Sequence, residues 1–163
     1  MTEVIADANV AVIANRQNAD VVESCENACI QFIAACRQDR VVLLDDAGEI
    51  MAEYMRAIRH GQPPLLGALF FRHIQQNQYN TQHVRRIHLP KQHDGTFFDF
   101  PDAPELATFD LADRKFAALS RKTGVAVTNA IDSDWANDLS ALNAHGIAVD
   151  FLCGCRKDSW FRS

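Results

Sequence analysis

No apolar run in the sequence approaches the roughly 18 consecutive residues that cross a bilayer as a helix. Glycine is scarce, with 7 in 163 residues, and no Gly-rich loop follows the first apolar segment. That absence argues against a nucleotide-binding fold that cradles phosphate on such a loop. Basic residues are outnumbered, 16 Lys and Arg against 21 Asp and Glu, for a formal net charge of −5. The chain therefore lacks the global basic footprint of a sequence-independent nucleic-acid binder. Cysteine is present five times. With no leader-like segment ahead of them, Cys25, Cys29, Cys36, Cys153 and Cys155 read as free thiols in a reducing cytoplasm. Small buried hydrophobes are the favoured reading over zinc ligands.

What is present is an ordinary globular composition, 48% hydrophobic and 23% charged, sufficient for one domain over 1–163. Four segments rich in Val, Ile and Leu, without strict alternation, read as strands covered on both faces: Val4–Asp7, Val41–Asp45, Val125–Asn129 and Ile147–Leu152. Helical patterns separate them at Asp20–Arg37, Ala47–Ile58, Ala112–Lys122 and Trp135–Asn143. Gly124 is the expected stop of the third. This alternation predicts a three-layer α/β/α domain around a parallel sheet of four or five strands.

Residues 60–105 break the rhythm and hold all five prolines and five of the six histidines. Leu65–Asn77 reads as a helix and Val84–Leu89 as an edge strand. Arg72, Arg85, Arg86, Lys91, Tyr79 and His83 make this the most basic and aromatic part of the chain. Its composition fits either a solvated excursion or a surface that grips a phosphate backbone through residues such as Arg85 and Arg86.

The acids fall in a pattern. Asp7 ends the first apolar run, and Asp45 and Asp46 end the second. Asp110 and Asp113 open a helix, and Asp132 and Asp134 follow the strand at 125–129. In a parallel sheet all strand carboxyl ends lie on one edge, so these acids are expected to converge there. Each alone also suits a helix start, where the dipole favours a carboxylate. Several together need a cation between them, and an all-oxygen set suits Mg²⁺ or Mn²⁺. Asn9 and Thr128 are candidates for orienting a carboxylate or a water. Arg114 and Lys115 read as solvated helix charges before phosphate contacts.

These segments resemble PIN-domain nucleases. "IADANV" (Asp7, Asn9) looks like the family's first acidic motif and "GEIMAEYMRAI" is similar to the second, implying Glu53, with Asp46 and Glu49 competing for that place. "FDLADRKFAALSRKTG" points to Asp113, and "AVTNAIDSDW" to Asp132 with Asp134 beside it. The resemblance implies metal-dependent phosphodiester hydrolysis, with RNA the expected substrate, by a toxin or an RNA-processing ribonuclease. Asp7, Glu53, Asp113 and Asp132 would be catalytic and hold Mg²⁺ or Mn²⁺ with Asp134, and Asn9 would face substrate. An inhibitory antitoxin protein and a second copy of the chain are the partners it allows. Two rivals stand beside it. One is a catalytically silent module of the same fold. The other is a phosphate-receiving regulator, which Asp45-Asp46 would suit but for the lack of a lysine after a late strand.

Overall fold

The computed structural model describes residues 1–163. Five strands form one parallel sheet: β1 (Thr2–Ala6), β2 (Arg40–Asp45), β3 (Val84–Ile87), β4 (Val127–Asn129) and β5 (Val149–Phe151), in the order β3-β2-β1-β4-β5. The chain thus moves outward from β1 to β3, then returns past β1 to β4 and β5. Because parallel crossovers are right-handed, the two directions of travel put their helices on opposite faces. Helices α1 (Ala8–Ala14), α2 (Glu23–Gln38), α3 (Glu49–Ala57) and α4 (Leu66–Asn77) pack on one another. Helix α5 (Arg114–Thr123) lies against β1, β2 and β4, and α6 (Ser133–Asn137) and α7 (Leu139–Ala144) follow. One continuous apolar cluster joins the layers, from Val4 to Ile147.

Strand β2 shows why the sheet reads as it does. Val41 through Asp45 are all buried, since a central strand in such a sheet is covered above and below. β5, expected to be equally buried, is instead a short edge strand with Asp150 exposed and Val149 and Phe151 half-buried. The edge expected at 84–89 is β3. Helix α1 has no counterpart among the sequence expectations. Seven residues long and buried at Ala8, Val10, Ala11, Ile13 and Ala14, it has no polar face to reveal its period. The helix expected over Trp135–Asn143 is broken at Asp138, a weak helix former that closes α6 and opens α7.

Two readings need correction. The 60–105 segment is not merely a solvated excursion, because α4 buries Gly67, Ala68, Phe70, Phe71 and Ile74 in the helical layer. Nor are all five cysteines free: Cys25 in α2 and Cys153 beyond β5 form a disulfide with Cα atoms 4.8 Å apart. The two are 128 residues apart in sequence, so only the folded topology reveals the pairing. Cys29 and Cys36 are buried thiols whose pKa burial pushes up to about 12, and Cys155 is exposed.

Candidate metal centre

The sheet order creates a switch point between β1 and β4, where the connections leave in opposite directions and a crevice opens at the strand carboxyl ends. Asp7 and Asp132 follow these two strands. Asp7 caps α1, one oxygen accepting from the Asn9 backbone N–H at 3.1 Å. Its other oxygen accepts from Trp135 Nε1 at 2.7 Å, and its own N–H donates to the Thr128 carbonyl at 3.0 Å. Asp132 caps α6 through the Asp134 N–H at 3.0 Å. Asp7 is therefore both a cap and a strand-end acid.

A pair of asparagines fixes the distance between the two turns. Asn9 Nδ2 donates to Asn129 Oδ1 at 3.0 Å, and Asn9 Oδ1 accepts from the N–H groups of Ala130 and Ile131. Asn129 in turn donates to the Asp132 carbonyl and accepts from its N–H. With both ends of its amide engaged, Asn9 positions the strand-end turns rather than presenting a free group. Asn129 does the same and had no distinguishing signal in the sequence.

Asp113 comes from the opposite layer, on a 3-10 turn (Leu111–Asp113) that runs into α5. Carboxylate oxygens of Asp7, Asp113 and Asp132 lie within 4.8 Å of one another, and so do those of Asp110, Asp113 and Asp134. Asp113 belongs to both groups. Its Oδ2 is buried with no hydrogen-bond partner, an arrangement that costs free energy unless a proton or a cation meets it. Burial, and then the charges of Asp7 and Asp132, raise the Asp113 pKa to about 9. Burial also leads in raising Asp7 to about 6, with Asp132 and Glu53 adding to it while the Asn9 and Trp135 bonds oppose it. Asp134 is shifted upward by burial and by Asp132.

Glu53 stands at the margin of this centre. It adds to the negative field at Asp7, yet its carboxylate pairs with Lys115 Nζ at 2.6 Å. Lys115 is buried and also donates to the Ala112 carbonyl, so it is not the solvated charge expected. The sequence hint was its place on the buried face of α5, four residues before Leu119. Arg114 is equally engaged, donating to the carbonyls of Leu106, Ala107 and Phe109.

Other acids are placed elsewhere. The Asp45 carboxylate accepts from the N–H groups of Glu49 and Ile50, both at 2.9 Å, and so caps α3 instead of joining the centre. Asp46 meets His88 at 3.1 Å and Glu49 meets Lys91 at 3.0 Å, both at the surface. Of the three competitors for the second acid, Glu53 is the one whose charge acts on Asp7. Arg85 and Arg86 lie on edge strand β3, beyond β2 from the centre. Arg85 pairs with Glu3, and Arg86 donates to the Asp46 carbonyl and sits 4.9 Å from the Tyr79 ring centroid.

No helix is long and apolar enough to cross a membrane. No protein-family model, curated protein or solved structure matches this chain, so its functional reading rests on the geometry of this centre.

Proposed function

We propose that the protein is a divalent-metal-dependent nuclease that hydrolyses phosphodiester bonds, with RNA as its substrate. The observation that carries the reading is Asp113: a buried carboxylate with an unpartnered oxygen, facing two further carboxylates delivered by remote segments at the switch point of the sheet. Such a set is unfavourable alone and becomes favourable around a cation. Hard oxygen donors fit Mg²⁺ or Mn²⁺. The order of acidic segments, which resembles that of PIN-domain nucleases, supports the same reading, as does the five-stranded parallel sheet.

Asp7, Asp113 and Asp132 would hold the ion, with Asp134 and Asp110 on its outer side. A bound ion of this class polarises a phosphoryl oxygen and lowers the pKa of water to give a nucleophile near neutral pH. Asp7 needs no ion to be oriented, since Trp135 and the Asn9 N–H already fix both its oxygens. Asp113, whose carboxyl its burial and the neighbouring charges of Asp7 and Asp132 push toward the protonated form, would lose that proton on binding a cation. Lys115 pairs with Glu53 at the margin of the site and partly offsets the negative field that this carboxylate adds at Asp7.

The test is incubation of purified protein with end-labelled RNA and DNA of one sequence, with Mn²⁺, with Mg²⁺, and with chelator. Metal-dependent cleavage of RNA is expected, abolished in Asp132→Asn. Binding of RNA and Mn²⁺ without cleavage would identify a silent binding module instead.

A further inference from the structure

Three sulfurs meet where α2 faces the segment that follows β5. Cys25 and Cys29 stand one turn apart on the buried face of α2, and Cys153 reaches them from that segment. All three Sγ atoms lie within 4.8 Å of one another. A cross-link between two segments needs two sulfurs, and the disulfide joins only Cys25 and Cys153. Cys29 is a third, fully buried beside the bond and taking no part in it.

The juxtaposition does not depend on the disulfide. Ahead of Cys153, the Leu152 N–H donates to the Asn129 carbonyl at 3.0 Å and ties the segment to the end of β4. Beyond it, the Gly154 N–H donates to the Phe151 carbonyl at 3.2 Å, and Trp160 Nε1 donates to the Gly154 carbonyl at 2.6 Å. Trp160 is itself buried, and its carbonyl accepts from the N–H of Val22, the residue before α2. These bonds hold Cys153 against α2 when the disulfide is open, so three thiols then face one another.

We propose that the reduced protein holds a zinc ion through Cys25, Cys29 and Cys153, at a structural site separate from the acidic centre and independent of the nuclease reading. Distance argues for it. Zn–S bonds of about 2.3 Å set the sulfurs of a tetrahedron about 3.8 Å apart, so small side-chain rotations close the observed set. Ligand type argues for it too, because soft thiolates select zinc whereas the carboxylates of the acidic centre suit Mg²⁺ or Mn²⁺. The Glu26 carboxylate acts on Cys29 and adds a negative field that favours a cation. Cys153 is half-buried, which leaves the fourth position to water on the solvent side. A thiol reductant supplies the two electrons and two protons that turn the disulfide into two thiols. Zinc then displaces one proton from each of the three sulfurs. Where disulfides do not persist, the ion takes over the link between α2 and the C-terminal segment.

Cobalt(II) tests the site, because bound thiolates give it intense ultraviolet charge-transfer bands that carboxylates do not. The full chain is reduced with a phosphine, without oxygen, and titrated with Co²⁺. The bands are expected to saturate at one ion per chain and to vanish when Zn²⁺ displaces the cobalt. In Asp113→Asn, where the acidic centre is disabled, Zn²⁺ should raise the melting temperature of the reduced protein but not of the oxidised one. Cys29→Ala removes the third sulfur and keeps the disulfide, which thiol counting on the oxidised variant checks. Its reduced form should lose the bands at equimolar cobalt. Absence of thiolate bands in the reduced wild type would overturn the proposal, whatever the variants do. Equal bands and affinity in Cys29→Ala would overturn it as well, since the third sulfur would then hold nothing.

Discussion

Asp113 is the residue on which charge, burial and function meet. Its pKa near 9 and that of Asp7 near 6 both exceed the ordinary carboxylate value of 3.8. The folded, metal-free protein therefore binds these protons more tightly than the unfolded chain does. Stability linked to them is complete below about pH 4 and declines as pH rises, through about 6 for Asp7 and about 9 for Asp113. In chelator, the urea midpoint is expected to be higher at about pH 5.5 than at about pH 8. Asp113→Asn removes the steeper part of this slope, because an amide has no proton to lose. That variant should be the more stable protein at about pH 8 without metal, yet gain little from Mn²⁺, whereas the wild type should gain more from Mn²⁺ as pH rises. Urea titrations of both proteins at the two pH values, with and without Mn²⁺, provide the measurement. An unchanged slope in Asp113→Asn would remove that residue from the centre.

Among the elements, α1 connects the site to the rest of the fold: it begins at Asp7 and its far end is clasped by α4. Asn15 Oδ1 accepts from the Ala68 N–H at 3.0 Å. A Cβ built on Gly67 would stand 2.5 Å from both the Ala11 carbonyl oxygen and Asn15 Cβ. Gly67→Ala must push the two helices apart, at a cost of roughly 1–3 kcal/mol, and should lower the thermal midpoint. Gly61→Ala, with nothing within 4 Å of the added atom, is the control and should leave it unmoved; equal midpoints for the two variants would deny the close approach. These elements also show what the sequence reveals. Apolar runs mark β1, β2 and β4 because a strand covered on both faces needs apolar residues throughout. Helix α1 escapes for a related reason, since a short segment buried nearly all round carries no periodic signature. The strand-end rule located Asp7 and Asp132 but selected Asp45 equally. What separates them is sheet order: Asp45 ends β2, away from the switch point, and its oxygens are taken by the first turn of α3. Sheet order is a long-range property with no local mark in the chain.

At the scale of the whole molecule, the same limit hides the link between α2 and the segment after β5. Cys25 and Cys153 carry no spacing signal, yet the disulfide closes a loop that spans 128 residues of the chain. The C-terminal segment is also held by main-chain bonds, the Val22 N–H donating to the Trp160 carbonyl at 2.9 Å and the Arg162 N–H to that of Asp20 at 2.7 Å. Buried Trp160 anchors it further. Cross-linking across so long a loop restricts the unfolded chain, and losing it costs roughly 2–5 kcal/mol. For a protein of this size that corresponds to a fall of about 5–20 °C in the melting temperature. Reduction by a dithiol, or Cys153→Ser, should produce such a fall, while Cys155→Ser should not. Alkylation in denaturant should label three thiols before reduction and all five cysteines afterwards; five labelled at the outset would show the bond absent. The acidic centre stands on β1, β4 and α5 rather than on the cross-linked segments. Mn²⁺ should therefore raise the melting temperature of the reduced protein by about as much as that of the oxidised one. A loss of the metal response on reduction would instead mean that the cross-link, acting through β5 and its pairing with β4, holds Asp132 in place.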